Sequence, residues 1–149
     1  MKKALPGKSK KVVDPTFATA RKDYFDVLKT IEAGGECPFC PFKFKYHKHA
    51  VLNNHKGWLI SDSSWPYNNS QRHLIIIGDK HKEKIEELSA EDMTAILFLI
   101  KWASKKFDIK GGGFAMRFGE TSYTGATVCH LHAHLIFPKK KKSVNFPIG

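Results

Sequence analysis

The spacing of hydrophobic and polar positions along the chain divides it into short elements of different period. Phe17, Tyr24, Phe25, Leu28 and Ile31, with Arg21 among them, follow the stripe of an amphipathic helix. Asp14 is placed to cap that helix, Pro15 suits its first turn, and Gly34-Gly35 ends it. Residues 49–61 read as two short strands joined across Asn53-Asn54-His55-Lys56-Gly57. After a polar loop at 62–72, His73-Leu74-Ile75-Ile76-Ile77-Gly78 has the continuous apolar character of a strand buried on both faces. Ser89 then caps a second helix with Glu91 and Asp92 in its first turn. Its apolar stripe, Met93, Ile96, Leu97, Ile100, Ala103 and Phe107, is predicted to cover one face of a sheet. Gly111-Gly112-Gly113 closes the connection and residues 114–118 alternate as a strand. A loop of small and hydroxyl residues, 119–127, leads into the last strand. This order predicts an α+β domain: an antiparallel sheet, a central amphipathic helix on one face, and an extra N-terminal helix. A single domain over residues 14–138 is expected, between a disordered basic tail (1–13) and a basic C-terminal tail (139–149).

The last strand carries the chemistry. In Cys129-His130-Leu131-His132-Ala133-His134-Leu135-Ile136, side chains of a strand would alternate faces. His130, His132 and His134 then share one face, while Cys129, Leu131, Ala133 and Leu135 form an apolar face suited to a core. Three imidazoles aimed away from that core have no packing rationale.

Composition narrows the class. The 149 residues, 42% hydrophobic and 26% charged, suit a soluble globular domain. No apolar run approaches the roughly 20 residues that cross a bilayer, and the basic N-terminus lacks the apolar region of a signal peptide. Three cysteines, two of them in Cys37-Pro38-Phe39-Cys40, do not make a disulfide framework. A reduced, cytoplasmic protein is expected, with no membrane partner. The net charge of +11 suggests nucleic acid until it is located. Lys2, Lys3, Lys8, Lys10 and Lys11, with the lysines of 139–142, account for most of the excess. Such terminal blocks are ordinarily solvated arms, and these lack the interleaved aromatics that stack on bases.

His130-Leu131-His132-Ala133-His134-Leu135-Ile136 resembles, position by position, the signature of the histidine triad (HIT) superfamily. The strand leading to Lys80-His81, the Glu87-Leu88-Ser89-Ala90-Glu91-Asp92 helix start and the Gly-rich approach to the triad are similar as well. The resemblance covers residues 35–138. It implies a nucleotide hydrolase or nucleotidyl transferase acting at the α-phosphorus of a nucleoside phosphoramidate or dinucleoside polyphosphate. His132 matches the histidine that forms a covalent nucleotidyl-histidine, and imidazole is neutral and nucleophilic near pH 7. In the family a backbone carbonyl of the triad strand holds that ring. His134 matches the histidine on the phosphate and leaving group, His73 an upstream histidine near the site, and Thr127 supplies a hydroxyl for the phosphate. Trp65, Tyr67 and Asn68 fall where ribose and base contacts are made, and Pro66-Tyr67-Asn68 looks more like the dinucleoside polyphosphate phosphorylase-like branch. Members are often homodimers, which is the expectation here. The 119–126 loop departs from the usual asparagine- and glutamine-bearing pattern, with Ala126 where a polar side chain is common.

The C-x-x-C pair by itself fits a zinc half-site, a redox pair or coincidence, and the thioredoxin-like context of a redox pair is absent. Similarity to the zinc-bearing HIT branch implies the ligands Cys37, Cys40, His81 and His130: a closed, structural zinc site, with no organic cofactor. Cys37, Cys40, His47 and His49 form a competing, local set. Two rival functions are carried forward. One is a hydrolase with catalytic zinc on His130 and His132. The other is a zinc-stabilised nucleic-acid-binding module that uses the basic tails.

Overall fold

A computed structural model describes residues 11–18, 21–40 and 46–149. The elements are α1 (Lys22–Gly34), β1 (Val51–His55), β2 (Trp58–Asp62), β3 (Ser70–Gly78), α2 (Ala90–Lys106), β4 (Gly113–Met116), α3 (Thr121–Thr124) and β5 (His132–Pro138). The five strands form one antiparallel sheet in the order β1-β2-β3-β5-β4. The expected α+β architecture is observed: α2 lies on one face and α1 is the additional N-terminal helix.

Period-two alternation divides the sheet into two unlike faces. Trp58, Ile60, Leu74, Ile76, Ala133, Leu135 and Phe137 pack with Ala95, Ile96, Leu99 and Ala103 of α2. The opposite face carries Leu59, Ile75 and Ile77, and Ile75 and Ile77 pair across the ladder with His134 and His132. A smaller cluster of Val13, Ala18, Leu28, Ile31 and Val128 fixes α1.

Local structure departs from expectation in several places, each for a physical reason. The expected first helix does not start at Asp14. Pro15–Ala18 is a separate 3-10 turn, and α1 begins at Lys22. Asp14 is drawn into the domain instead: its backbone N–H donates to the Thr127 carbonyl, and its carboxylate accepts from Thr121 Oγ1 at 2.8 Å. The β1–β2 turn is only Lys56-Gly57, with φ of 43° and 81°. Two successive positive φ values fit a tight two-residue hairpin, so Asn53, Asn54 and His55 remain in the strand. β3 extends back to Ser70, β4 stops at Met116, and α3 occupies part of the 119–127 loop. On α2, Ser89 and Asp92 form the capping box. Met93 and Leu97, however, face outward at 43% and 54% exposure while Ala95 and Leu99 are buried.

Of the two expected tails, residues 1–10 lie outside the described residues. Val13 is buried and bridges Val128. Residues 139–149 run back along the domain, Gly149 N–H donating to the Thr124 carbonyl at 3.1 Å.

Candidate active site and metal centre

β5 begins at His132, so His130 lies in the bend that precedes it and faces a different way from His132 and His134. Two adjacent centres result.

In the first, His130 is 1% exposed and its Nδ1 lies 3.6 Å from Cys37 Sγ and 3.2 Å from Cys40 Sγ. His81 Nδ1 is 3.3 Å from Cys40 Sγ. All four donor atoms lie within 4.8 Å of one another. Tetrahedral zinc with these ligands needs donors about 3.3–3.8 Å apart. The outer nitrogens are also engaged: His130 Nε2–H donates to the Gly78 carbonyl and His81 Nε2–H to Glu83 Oε1, both at 2.8 Å. These bonds leave the two Nδ1 lone pairs aimed at the sulfurs, the usual support for metal-bound imidazole. Burial pushes the Cys37 thiol up to about 12, so a divalent cation would have to displace its proton. The residues fit a structural zinc ion. His47 belongs to a different network, with Nε2 donating to Ser61 Oγ at 2.7 Å and Nδ1 accepting from Ser64 Oγ at 3.0 Å. Among the described residues, neither His47, His49 nor His132 joins the metal-ligating group.

The second centre is a cavity of about 260 Å³ on the α1 side of the sheet. His73, His132, His134, Thr127, Trp65 and Tyr67 all line it; Asn68 does not, standing exposed at the loop tip. Trp58 belongs to the core on the other face and donates from Nε1 to Asp92 Oδ1 at 2.9 Å. Hydrogen bonds fix the ring tautomers. His132 Nδ1–H donates to the His130 carbonyl at 2.8 Å, leaving the Nε2 lone pair free. Tyr67 N–H donates to His73 Nδ1 at 3.1 Å, so the His73 proton sits on Nε2 and is donated to His134 Nδ1 at 2.8 Å. His134 therefore carries its own proton on Nε2. All three rings are held neutral. Burial is the main cause, lowering His73 and His132 to about 4 and His134 well below its ordinary value; the positive charge of Arg117 adds to each.

Several lining residues escaped the sequence reading. Tyr24 of α1 stacks on Trp65 at 4.5 Å and shares a 2.5 Å hydrogen bond with Thr127 Oγ1. Phe39, inside the C-x-x-C knuckle, sits edge-on to His132 at 5.3 Å and to His130 at 5.8 Å, so it is packed between the two centres. Arg117 lines the far side, and Phe146 lies behind it, 3.9 Å from the guanidinium and 5.2 Å from His134. Arg117 had a legible signal: Ala115 pairs with His134, and Arg117 follows it by two residues onto the same face.

No family model and no curated protein matches the sequence. Solved structures do match. A histidine triad nucleotide-binding protein from Candida albicans is 21% identical with a TM-score of 0.60, over 76% of this chain and 82% of that one. A HIT family hydrolase from Legionella pneumophila is 23% identical with a TM-score of 0.57, over 76% of this chain and 100% of that one. A zinc-bound histidine triad family protein from Mycobacterium smegmatis is 13% identical with a TM-score of 0.53, over 83% and 81%. The chain has the fold of the histidine triad superfamily, in agreement with the resemblance carried by its 130–136 motif.

Proposed function

We propose that the protein is a HIT-type nucleotide hydrolase or nucleotidyl transferase that works through a covalent nucleotidyl-histidine on His132. The observation that carries this reading is the tautomer of His132. Its Nδ1–H is anchored on the His130 carbonyl, and its Nε2 lone pair is left on a cavity that also holds His134. His132 Nε2 attacks the α-phosphorus of a nucleotide conjugate, forming an N–P bond as the bond from phosphorus to the leaving group breaks. The leaving atom takes the electron pair and accepts a hydrogen bond from His134 Nε2–H, the proton that an amine leaving group needs comes from solvent, and His73 Nε2–H holds His134 in the tautomer that makes this contact. Water or phosphate then attacks phosphorus, releasing the nucleoside monophosphate or diphosphate and free His132. Thr127 Oγ1 and nearby backbone amides steady the phosphoryl oxygens. The nucleoside packs in the aromatic part of the cavity, against Trp65 and Tyr67.

Cys37, Cys40, His81 and His130 would hold a structural zinc ion, which would tie the knuckle to the bend before β5. No organic cofactor is called for. Cys37 and Cys40, grouped with His81 and His130 as metal ligands, support a reduced, cytoplasmic setting, and no helix among the described residues is long and apolar enough to cross a membrane. The exposed Met93, Leu97 and Phe98 on α2 support a homodimer, which light scattering tests directly: a monomer mass contradicts it.

The functional test follows product formation from diadenosine tetraphosphate and an adenosine phosphoramidate, with and without phosphate, for wild type and His132→Ala. Turnover lost in the variant is the expected result. Equal turnover in both proteins sinks the mechanism.

A further inference from the structure

We infer that Arg117 is the residue that selects the leaving group, by holding an anionic phosphate of a polyphosphate next to His134. This deepens the function proposed above and rests on it for the reaction, though not for anion binding.

The cavity holds two guanidinium groups, Arg21 and Arg117, and no Asp or Glu lines it among the described residues. The two arginines are not equivalent. Arg21 lies within 4.0 Å of the Asp23 carboxylate, which offsets part of its charge. Arg117 has no carboxylate partner among the described residues. Its Nε–H and one Nη2–H both donate to the Pro147 carbonyl, at 2.8 and 2.5 Å, and Nη2 also reaches Tyr67 Oη at 3.4 Å. Phe146 lies against the guanidinium plane at 3.9 Å. The Nη1 hydrogens are bonded to no protein group among the described residues.

The same two aromatic rings that touch Arg117 also touch His134. Tyr67 stacks on His134 at 5.7 Å, and Phe146 meets it edge-on at 5.2 Å. A pre-oriented cation with unused donors therefore stands beside the histidine that hydrogen-bonds to the leaving group. Its chemistry discriminates between leaving groups. An amine leaves as a neutral or cationic species, which a fixed guanidinium does not stabilise. A phosphate leaves with added negative charge, which a guanidinium stabilises most as the P–O bond breaks. In that step the His132 Nε2–P bond forms and the bond from the α-phosphorus to its bridging oxygen breaks. The departing polyphosphate keeps the electron pair, and its added charge is met by the Arg117 guanidinium and by a hydrogen bond from His134 Nε2–H.

The test compares wild type, Arg117→Gln and Arg117→Lys, each checked for folding by its melting temperature. The ratio of kcat/KM for diadenosine tetraphosphate to that for adenosine phosphoramidate should fall roughly 10- to 100-fold in Arg117→Gln. Arg117→Lys, which keeps the charge but loses the planar fork, should restore part of it. A ratio unchanged in Arg117→Gln overturns the inference, as does an equal loss on both substrates. Titration with AMP and ADP separates this inference from the proposed reaction. ADP should bind wild type at least about 10-fold more tightly than AMP, and Arg117→Gln should lose that increment. If wild type turns over neither substrate but keeps an Arg117-dependent preference for ADP, the reaction is wrong and the anion site stands. If wild type binds AMP and ADP alike, the anion site is wrong whatever the turnover.

Discussion

The two faces of the sheet are built from the same strands and obey opposite rules. On the α2 side the buried residues of β2, β3 and β5 are apolar, with the Arg72–Asp62 pair only at the edge beside Phe107, and the interface is held by dispersion and by exclusion of water. On the α1 side, β3 and β5 set His73, His132 and His134 beside Leu59, Ile75 and Ile77, each of these rings held in one tautomer by a named partner. The first face supplies rigidity. The second uses it, because a neutral imidazole aimed at phosphorus must be held still without being packed shut. The comparison separates stability from chemistry by side of the sheet, and substitutions on each side should break it differently.

The largest effect should come from the proposed zinc at Cys37, Cys40, His81 and His130, beside the histidine face. Zinc should co-purify in equimolar amount, and its removal by chelation, or Cys40→Ser, should cost on the order of 10 kcal/mol of folding energy. Calorimetry with and without chelator checks this; an unchanged melting temperature in a zinc-free sample contradicts it. Leu99→Ala, on the α2 face, should lose roughly 2–5 kcal/mol of stability in denaturant melts. Its turnover below the melting transition should stay within a few-fold of wild type, whereas His132→Ala should keep its stability and lose turnover.

Protonation distinguishes the faces further. His73 is 3% exposed and its folded pKa is about 4, against 6.5 for the free side chain. The unfolded chain therefore binds the proton first, so this contribution to stability is complete above pH 6.5 and is lost as pH falls from 6.5 towards 4. For His73 alone the loss is on the order of 3 kcal/mol. A His73→Phe variant should show a shallower fall over that window; an identical slope in both proteins would argue against a buried neutral His73. The acid limb of kcat/KM should likewise lie near 4, where His132 titrates, rather than near 6.5. The smallest effect is expected at Trp58→Phe. It removes one hydrogen bond to Asp92 on the core side, about 1 kcal/mol, and should leave turnover alone.

What was legible in the sequence follows the same division. The order of elements along the chain, the Ser89 cap and the shared face of His132 and His134 come from local spacing; the family resemblance added His73, which the structure brings beside them, while His130, expected on the same face, turns to the cysteines. The buried phase of α2 was not legible, because Met93, Leu97 and Phe98 are as apolar as Ala95, Ile96 and Leu99, and periodicity alone cannot say which side meets the sheet. The start of the first helix was misplaced at Asp14 because a buried hydrogen bond to Thr121, far along the chain, outweighs local capping preference. Phe146 joins the site through the return of the C-terminal segment, a contact that no local pattern encodes, whereas Arg117 was legible from its phase relative to β4 and was overlooked.

The most direct test of the central claim is mass spectrometry of the wild-type protein quenched early in turnover of diadenosine tetraphosphate. The account predicts an adenylyl group on the peptide containing His132, absent from His132→Ala. Steady turnover with no adduct at any quench time, or an adduct undiminished in His132→Ala, would contradict it.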